Sequence, residues 1–215
     1  YANYQPPSMP PTLQPTVQPT QGSPSVNIWT DFVSSTSDEF LVSVIEDPAT
    51  GDIYAGGATY GVLPSQTSAG DLDAFLVKYS SDGVRQYTRQ YGSSGADHIR
   101  EVIFYNGNIY AGGEVSNGFG GAVSAGGTDF GFMRISPSTG NLAFTRMVGT
   151  TSNEYVNHMA VDSSGNFFLV GVSDVPGNRN GYAACYTSAG QLVWSQRYSS
   201  DGAAVDEALG IAPDS

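Results

Sequence analysis

Short apolar stretches alternate along the chain with clusters of Gly, Ser, Asn and Asp, and apolar residues at helical spacing are missing over any helix-length window. In residues 73–79 the large apolar side chains Phe75, Val77 and Tyr79 fall on alternate positions, while Ala74 and Leu76 take the intervening ones. Successive side chains of a strand point to opposite faces. The pattern therefore predicts a strand that is apolar on both faces, suited to a sheet held between two neighbouring sheets. Comparable runs rich in Tyr, Phe, Val and Ile, bounded by turn residues, recur throughout and predict an all-β chain.

The runs recur in a fixed order. An aromatic-led strand reads IWTDFVSS from Ile28, QYTRQYGS from Gln86, AFTRMVGT from Ala143 and VWSQRYSS from Val193, and its anchors Trp29, Tyr87, Phe144 and Trp194 are spaced by 58, 57 and 50 residues. Between the anchors come an acidic or amide-capped run (from Ser37, Ala96, Asn153 and Asp206), then a strand bearing Gly57, Gly113 or Gly171. A variable loop and a strand from Asp73, Asp129 or Asn180 complete each unit. Gly-Asn, Asp-Gly and Ala-Gly steps supply the turns that tight hairpins need. A period near 50 with four strand-length runs per unit predicts a β-propeller-like repeat array.

These residues resemble the tandem beta-propeller repeats of secreted and cell-surface proteins. The likeness rests on the strand from Asn106 to Gly113 and its variants at 52–57 and 165–171, on the opening Gly126, Gly127, Asp129 and Phe130, and on the aromatic-led strand. It covers roughly residues 28–212, and the third unit departs from it at Gly181 and Tyr182. The resemblance implies four-stranded antiparallel blades and an extracellular or cell-surface location, and carries over no catalytic residue. The expected blades span about 37–94, 95–151 and 152–200, with one partial strand in 26–36 and another in 201–215. Propellers use four to eight blades, so three blades and two spare strands read as a piece of a longer protein, in keeping with a start at Tyr1 without Met or signal peptide. The alternative is that another copy of the chain completes the spare strands, as in strand donation.

Residues 1–25 are different material, with no charge and Pro-Thr every four residues from Pro11. Proline fixes φ and lacks a donor, which predicts an extended polyproline-type segment reaching about 75 Å at about 3.1 Å per residue. Thr12, Thr16 and Thr20 beside proline are candidate O-glycosylation sites, and a plain spacer is the simpler reading. No Asn-X-Ser/Thr sequence occurs.

A net charge of -12 disfavours nucleic acid and anionic membrane as partners, and no apolar run approaches the ~18 residues of a membrane span. Cys185, the one cysteine, aligns with Lys78 and Arg134 and reads as a packed strand residue. Candidate chemistry is thin. His98 and His158 fall at different points of the repeat without a ligand set, and no serine lies in a nucleophile elbow. Asp71, Asp73 and Asp129 offer oxygens to Ca²⁺, yet no stretch matches a calcium loop, and aspartate at a strand opening bonds its own turn. No cofactor is expected, and Ca²⁺ is the one ion left open.

The function expected is a non-enzymatic extracellular structural module, part of a glycosylated fibre or layer built by blade completion with other copies or with the rest of a longer chain. The alternative is a ligand-binding or adhesion propeller for glycan or protein. Its contacts would be Tyr60 and Phe119, the aromatics of the loops 60–72 and 116–128.

Overall fold

The computed structural model describes residues 29–175, 178–199 and 205–212; the candidate glycosylation sites Thr12, Thr16 and Thr20, with the whole Pro/Thr segment, lie outside them. The described residues are all-β, without helix, in three four-stranded antiparallel sheets. The first holds β1 (Glu39–Glu46), β2 (Ile53–Thr59), β3 (Asp73–Tyr79) and β4 (Arg85–Tyr91). The second holds β5 (Glu101–Tyr105), β6 (Asn108–Ser116), β7 (Thr128–Ile135) and β8 (Leu142–Val148). The third holds β9 (Asn153–Val161), β10 (Asn166–Val175), β11 (Asn178–Thr187) and β12 (Leu192–Tyr198). In every sheet the strands neighbour one another in chain order, so each sheet is one repeat unit. The sheets form a row that does not close.

The two-sided apolar pattern sends alternate residues to different cores. Ala74 and Leu76 join Ile99, Val102, Ile109, Ala111, Met133 and Ile135 between the first and second sheets. Phe75, Val77 and Tyr79, on the other face, cluster with Ala55 and Leu63 and the half-buried Val33 and Ile53. In the second sheet, Tyr110, Phe130 and Phe132 turn toward the third and pack on Val156, Phe167, Leu169 and Tyr186. Phe132 sits at the hub, with ring centroids of Tyr186 at 5.0 Å, Phe167 at 5.2 Å and Tyr110 at 5.7 Å. Each fully buried ring of this kind contributes about 1.5–3 kcal/mol by removal from water.

The recurring glycines have one reason. A Cβ on Gly57, Gly113 or Gly171 would lie 1.7, 1.9 or 1.9 Å from the carbonyl oxygen of Phe40, His98 or Tyr155, respectively. At this point the first strand of each unit crosses over the second, and the pairing slips there between Leu41 and Ser43 and between Val170 and Gly171. Only a residue without a side chain admits that approach.

The expected strand in 26–36 is not formed in its described part. Residues 29–36 make no ladder. Side chains hold the segment instead: Trp29 stacks 5.0 Å from Tyr79, and Arg85 Nε donates to Asp31 Oδ2 at 2.7 Å. Residues 205–212 likewise form no strand, yet they lie where a fourth unit would begin. Ala208 N donates to Gly171 O at 3.3 Å, the same bond that Ile99 N makes to Gly57 O.

Gly113→Ala is expected to cost about 1–3 kcal/mol in urea denaturation, as overpacking does. Gly107→Ala provides the comparison: Gly107 has φ +69° and open space around it, so only the left-handed backbone penalty of about 1–2 kcal/mol applies. The loss at Gly113 should also lower the protection from exchange of the amides at the crossing, Ile99 and Arg100, whereas the loss at Gly107 acts on the β5–β6 turn.

Candidate functional site

The joints between units repeat residue by residue, and they define what is unusual about the ends. Leu41, Ile99 and Val156 hold equivalent places, Ile99 just before β5 and the other two on β1 and β9, as do Val44, Val102 and Met159 on the first strands. Ile99 and Val102 are fully or nearly fully buried, with Ile99 Cγ2 only 2.7 Å from where a Cβ of Gly56 would be. Val156 and Met159 are buried in the same way, Met159 against Gly112. In the first unit the same positions are open: Leu41 is 51% and Val44 66% exposed. With Val42, Ile53, Ala55, Tyr79 and Trp29 they line an apolar groove of about 390 Å³.

The aromatic anchors tell the same story from the other side. Tyr87 lies over the turn at Gly140, Phe144 over the turn at Gly190, and Trp29 over the turn at Gly83, each aromatic roofing the next unit's β3–β4-type turn. Gly140 has φ +71°, so the bare glycine both makes the turn and leaves room for the ring. Tyr91 Oη reinforces the seat by donating to Gly140 O at 2.6 Å. Among the described residues no such turn lies under Trp194. It is 38% exposed, and every residue of β12 is exposed.

Across the joints, side chains answer backbone donors on the first strands, which lie at the edges of their sheets. Val102 N donates to Ser43 Oγ at 3.0 Å, and Met159 N donates to Glu101 Oε2 at 2.6 Å, one turn of the repeat later. Val156 N donates to Glu114 Oε1 at 3.0 Å. Glu114 is almost fully buried and is answered by Arg100, whose Nε lies 2.7 Å from Oε2. Burial raises its carboxyl pKa, against the pull of Arg100.

A polar groove of about 380 Å³ opens here between the second and third sheets, lined by Arg100, Glu114, Tyr155, Val156, Asn157 and Arg179. His98 stands beside it, with Nδ1 3.4 Å from Glu114 Oε2. That carboxylate is already engaged by Arg100 at shorter range, so burial and the Arg100 charge prevail and hold the His98 imidazole down to about 4. Among the described residues no group of three or more His, Cys, Asp and Glu is arranged to hold a metal ion.

The other residues singled out from the sequence are dispersed. Tyr60 is half exposed in the β2–β3 loop, edge-on to Phe40 at 6.1 Å. Phe119 packs against the core between the first and second sheets, and no ring contact joins it to Tyr60 among the described residues. His158 Nε2 lies 3.7 Å from Glu101 Oε1, on a different joint from His98. Asp71 is exposed, whereas Asp73 and Asp129 are buried and accept from Ala69 N and Ala125 N in their own loops. Cys185 is buried on β11, and burial pushes its thiol up.

Glu114 escaped sequence reading because it breaks the repeat: the other units carry Ala58 and Val172 at its place. A lone charge at a position that is apolar elsewhere was the available signal. No protein-family model matches the chain, and no curated protein matches it in sequence.

The folded chain keeps His98 neutral where the unfolded chain, near 6.5, takes up a proton. Stability from this residue is complete above about pH 6.5 and is lost as the pH falls toward 4. His98→Gln should flatten the decline of Tm over that acid range; a decline as steep as in the parent would refute the assignment.

Proposed function

We propose that the chain is a non-enzymatic structural module, a segment or subunit of a glycosylated extracellular fibre or layer, in which propeller-type repeat units are completed from one chain to the next. The single observation that carries this reading is the unfinished joint at each end of the row. Leu41 and Val44 expose the positions that the inner joints bury, and among the described residues no turn lies under Trp194 as one lies under its counterparts. Those inner joints say what fits: another unit of the same repeat, from a second copy or from more of the same chain. The contact is heterologous, one end to the other, and such contacts propagate unless the rotation closes a ring.

A glycosylated Pro/Thr arm and an extracellular setting follow from composition and from the resemblance to secreted repeat proteins. A binding or adhesion role is the second reading, favoured by one observation: Tyr60 holds an exposed ring on a loop pinned by Gln90, whose Nε2 donates to Gly61 O at 2.9 Å.

In light scattering and negative-stain imaging the full chain should form concentration-dependent oligomers or filaments. Leu41→Glu with Val44→Glu should leave it monomeric at an unchanged Tm, since both side chains are already in water in the isolated chain. A wild-type chain that stays monomeric at high concentration sinks the chain-to-chain reading. Loss of glycan or protein binding on Tyr60→Ala, with assembly absent, would move the weight to the second.

A further inference from the structure

We propose that each inner joint is locked by one proton shared between two buried carboxyl groups, Asp129 with Glu154 and Asp73 with Asp97. All four side chains are buried, at 0–1% exposure. Among the described residues no ion pair from Lys, Arg or His reaches any of them. The point where a Cβ of Gly149 would sit lies 2.0 Å from Asp129 Oδ1 and 2.4 Å from Glu154 Oε2, so the two oxygens crowd one spot. Two carboxylates facing each other out of water cannot both stay charged.

The hydrogen bonds say where the proton resides. Glu154 accepts from Thr150 N at 2.8 Å, Thr150 Oγ1 at 2.7 Å and Ser173 Oγ at 2.6 Å, a set of donors that favours the ionised form. Asp129 accepts from Ala125 N on Oδ2, while its buried Oδ1 has no partner. A proton on Asp129 Oδ1, donated to Glu154 Oε2, gives both oxygens one. At the earlier joint Asp97 is brought beside the opening of β3, its N–H donating to Leu72 O at 2.7 Å, and its carboxylate accepts from Ser93 N at 2.6 Å, Ser93 Oγ at 2.8 Å and Ser116 N at 2.9 Å. Asp73 is bonded through Oδ2 to Ala69 N and Gln90 Nε2, and its buried Oδ1 is again without a partner.

The third unit supplies an internal comparison. Asn180 stands where the others have Asp73 and Asp129, and an amide is the isostere of a protonated carboxyl that cannot ionise. The titratable groups that act on Asp129 are Glu154 from β9 and the phenols of Tyr182 and Tyr186 from β11, and Asp73 from β3 acts on Asp97. Burial, reinforced by the neighbouring acid, raises Asp129 and pushes Asp97 up to about 6.

The folded pairs therefore hold protons that the unfolded chain has released. The contribution of Asp97 is complete below the ordinary carboxylate range near 4 and is lost as the pH rises toward about 6, and that of Asp129 is lost in the same direction. This slope is opposite to that of His98, so differences between variants are the proper readout. In the full chain, Asp73→Asn with Asp129→Asn keeps a donor at each site and removes the titration. Its Tm should exceed that of the wild type at pH 7.5 by about 3 °C or more, with the gap closing at pH 4.5.

Parallel Tm profiles for the two proteins would overturn the proposal. So would millimolar CaCl₂ raising the wild-type Tm at pH 7.5 but not the variant's, which would make the pairs a cation site. Should the double variant fail to fold, carboxyl-carbon NMR of the wild type decides: a pair titrating near 6 upholds the shared proton, and ordinary values near 4 for all four groups reject it.

Discussion

Everything in this molecule depends on sheets that are apolar on both faces and so cannot be stable alone. Ala74 and Leu76 point into one joint and Phe75 and Val77 into the next layer out, so that every sheet needs a neighbour on each side. The neighbour is reached by pressing the first strand of one unit onto the second strand of the unit before it. That approach is possible because Gly56 and Gly112 leave space for Ile99 and Met159. Gly57, Gly113 and Gly171 then let the first strand's own backbone cross close by. Small residues on one strand and branched or long ones on the next are two halves of a single packing requirement.

The same crossing sets the polar chemistry. A first strand at the edge of its sheet leaves backbone N–H groups without a ladder partner, and a buried donor left alone costs about 1–3 kcal/mol. The chain answers with acceptors from the preceding unit: Ser43, Glu101 and Glu114 for Val102, Met159 and Val156. Carboxylates in a dry interior bring their own penalty, which Arg100 offsets for Glu114. Asp129 and Glu154 have no such cation, and this is the physical origin of the shared proton. The acidic residues that look like candidate chemistry are thus bound up with holding the row together.

Much of this was legible in the sequence, for reasons that are local. Alternation within 73–79 declared two buried faces, and the period of the anchors counted the units. The recurring glycines marked a close approach, although not which atom approached. The serine or threonine four residues before each first-strand acid, Ser35 with Glu39, Ser93 with Asp97 and Thr150 with Glu154, was also written there. Its meaning appears only when Thr59, Ser116 and Ser173 arrive from the second strand. What composition and period cannot supply is partnership across a joint. Trp29 leads the same pattern as Tyr87, yet its segment makes no ladder, because a strand is a property of the pair. Phe119 reads as a loop aromatic for the same reason, its core neighbours being remote in sequence.

The two ends of the row are unequal, and that bears on how units would be added under the assembly reading. At the first unit, Trp29 already roofs Gly83 and Asp31 already holds Arg85. An incoming Trp194 from another copy would have to take a seat that Trp29 occupies. The occupant is tethered to its seat through its own chain, which gives it an effective concentration of the order of mM. Displacement is therefore opposed, whereas the apolar strip of Leu41, Val42 and Val44 beside it stays unclaimed. Trp29 thus acts as a partial cap that competes for the anchor seat while leaving the larger apolar face open. Addition is then favoured only where burial of that face outweighs release of one tryptophan and one ion pair. A joint of this design stays shut at low concentration and yields when copies are crowded, a property that a fully capped or fully open end would lack.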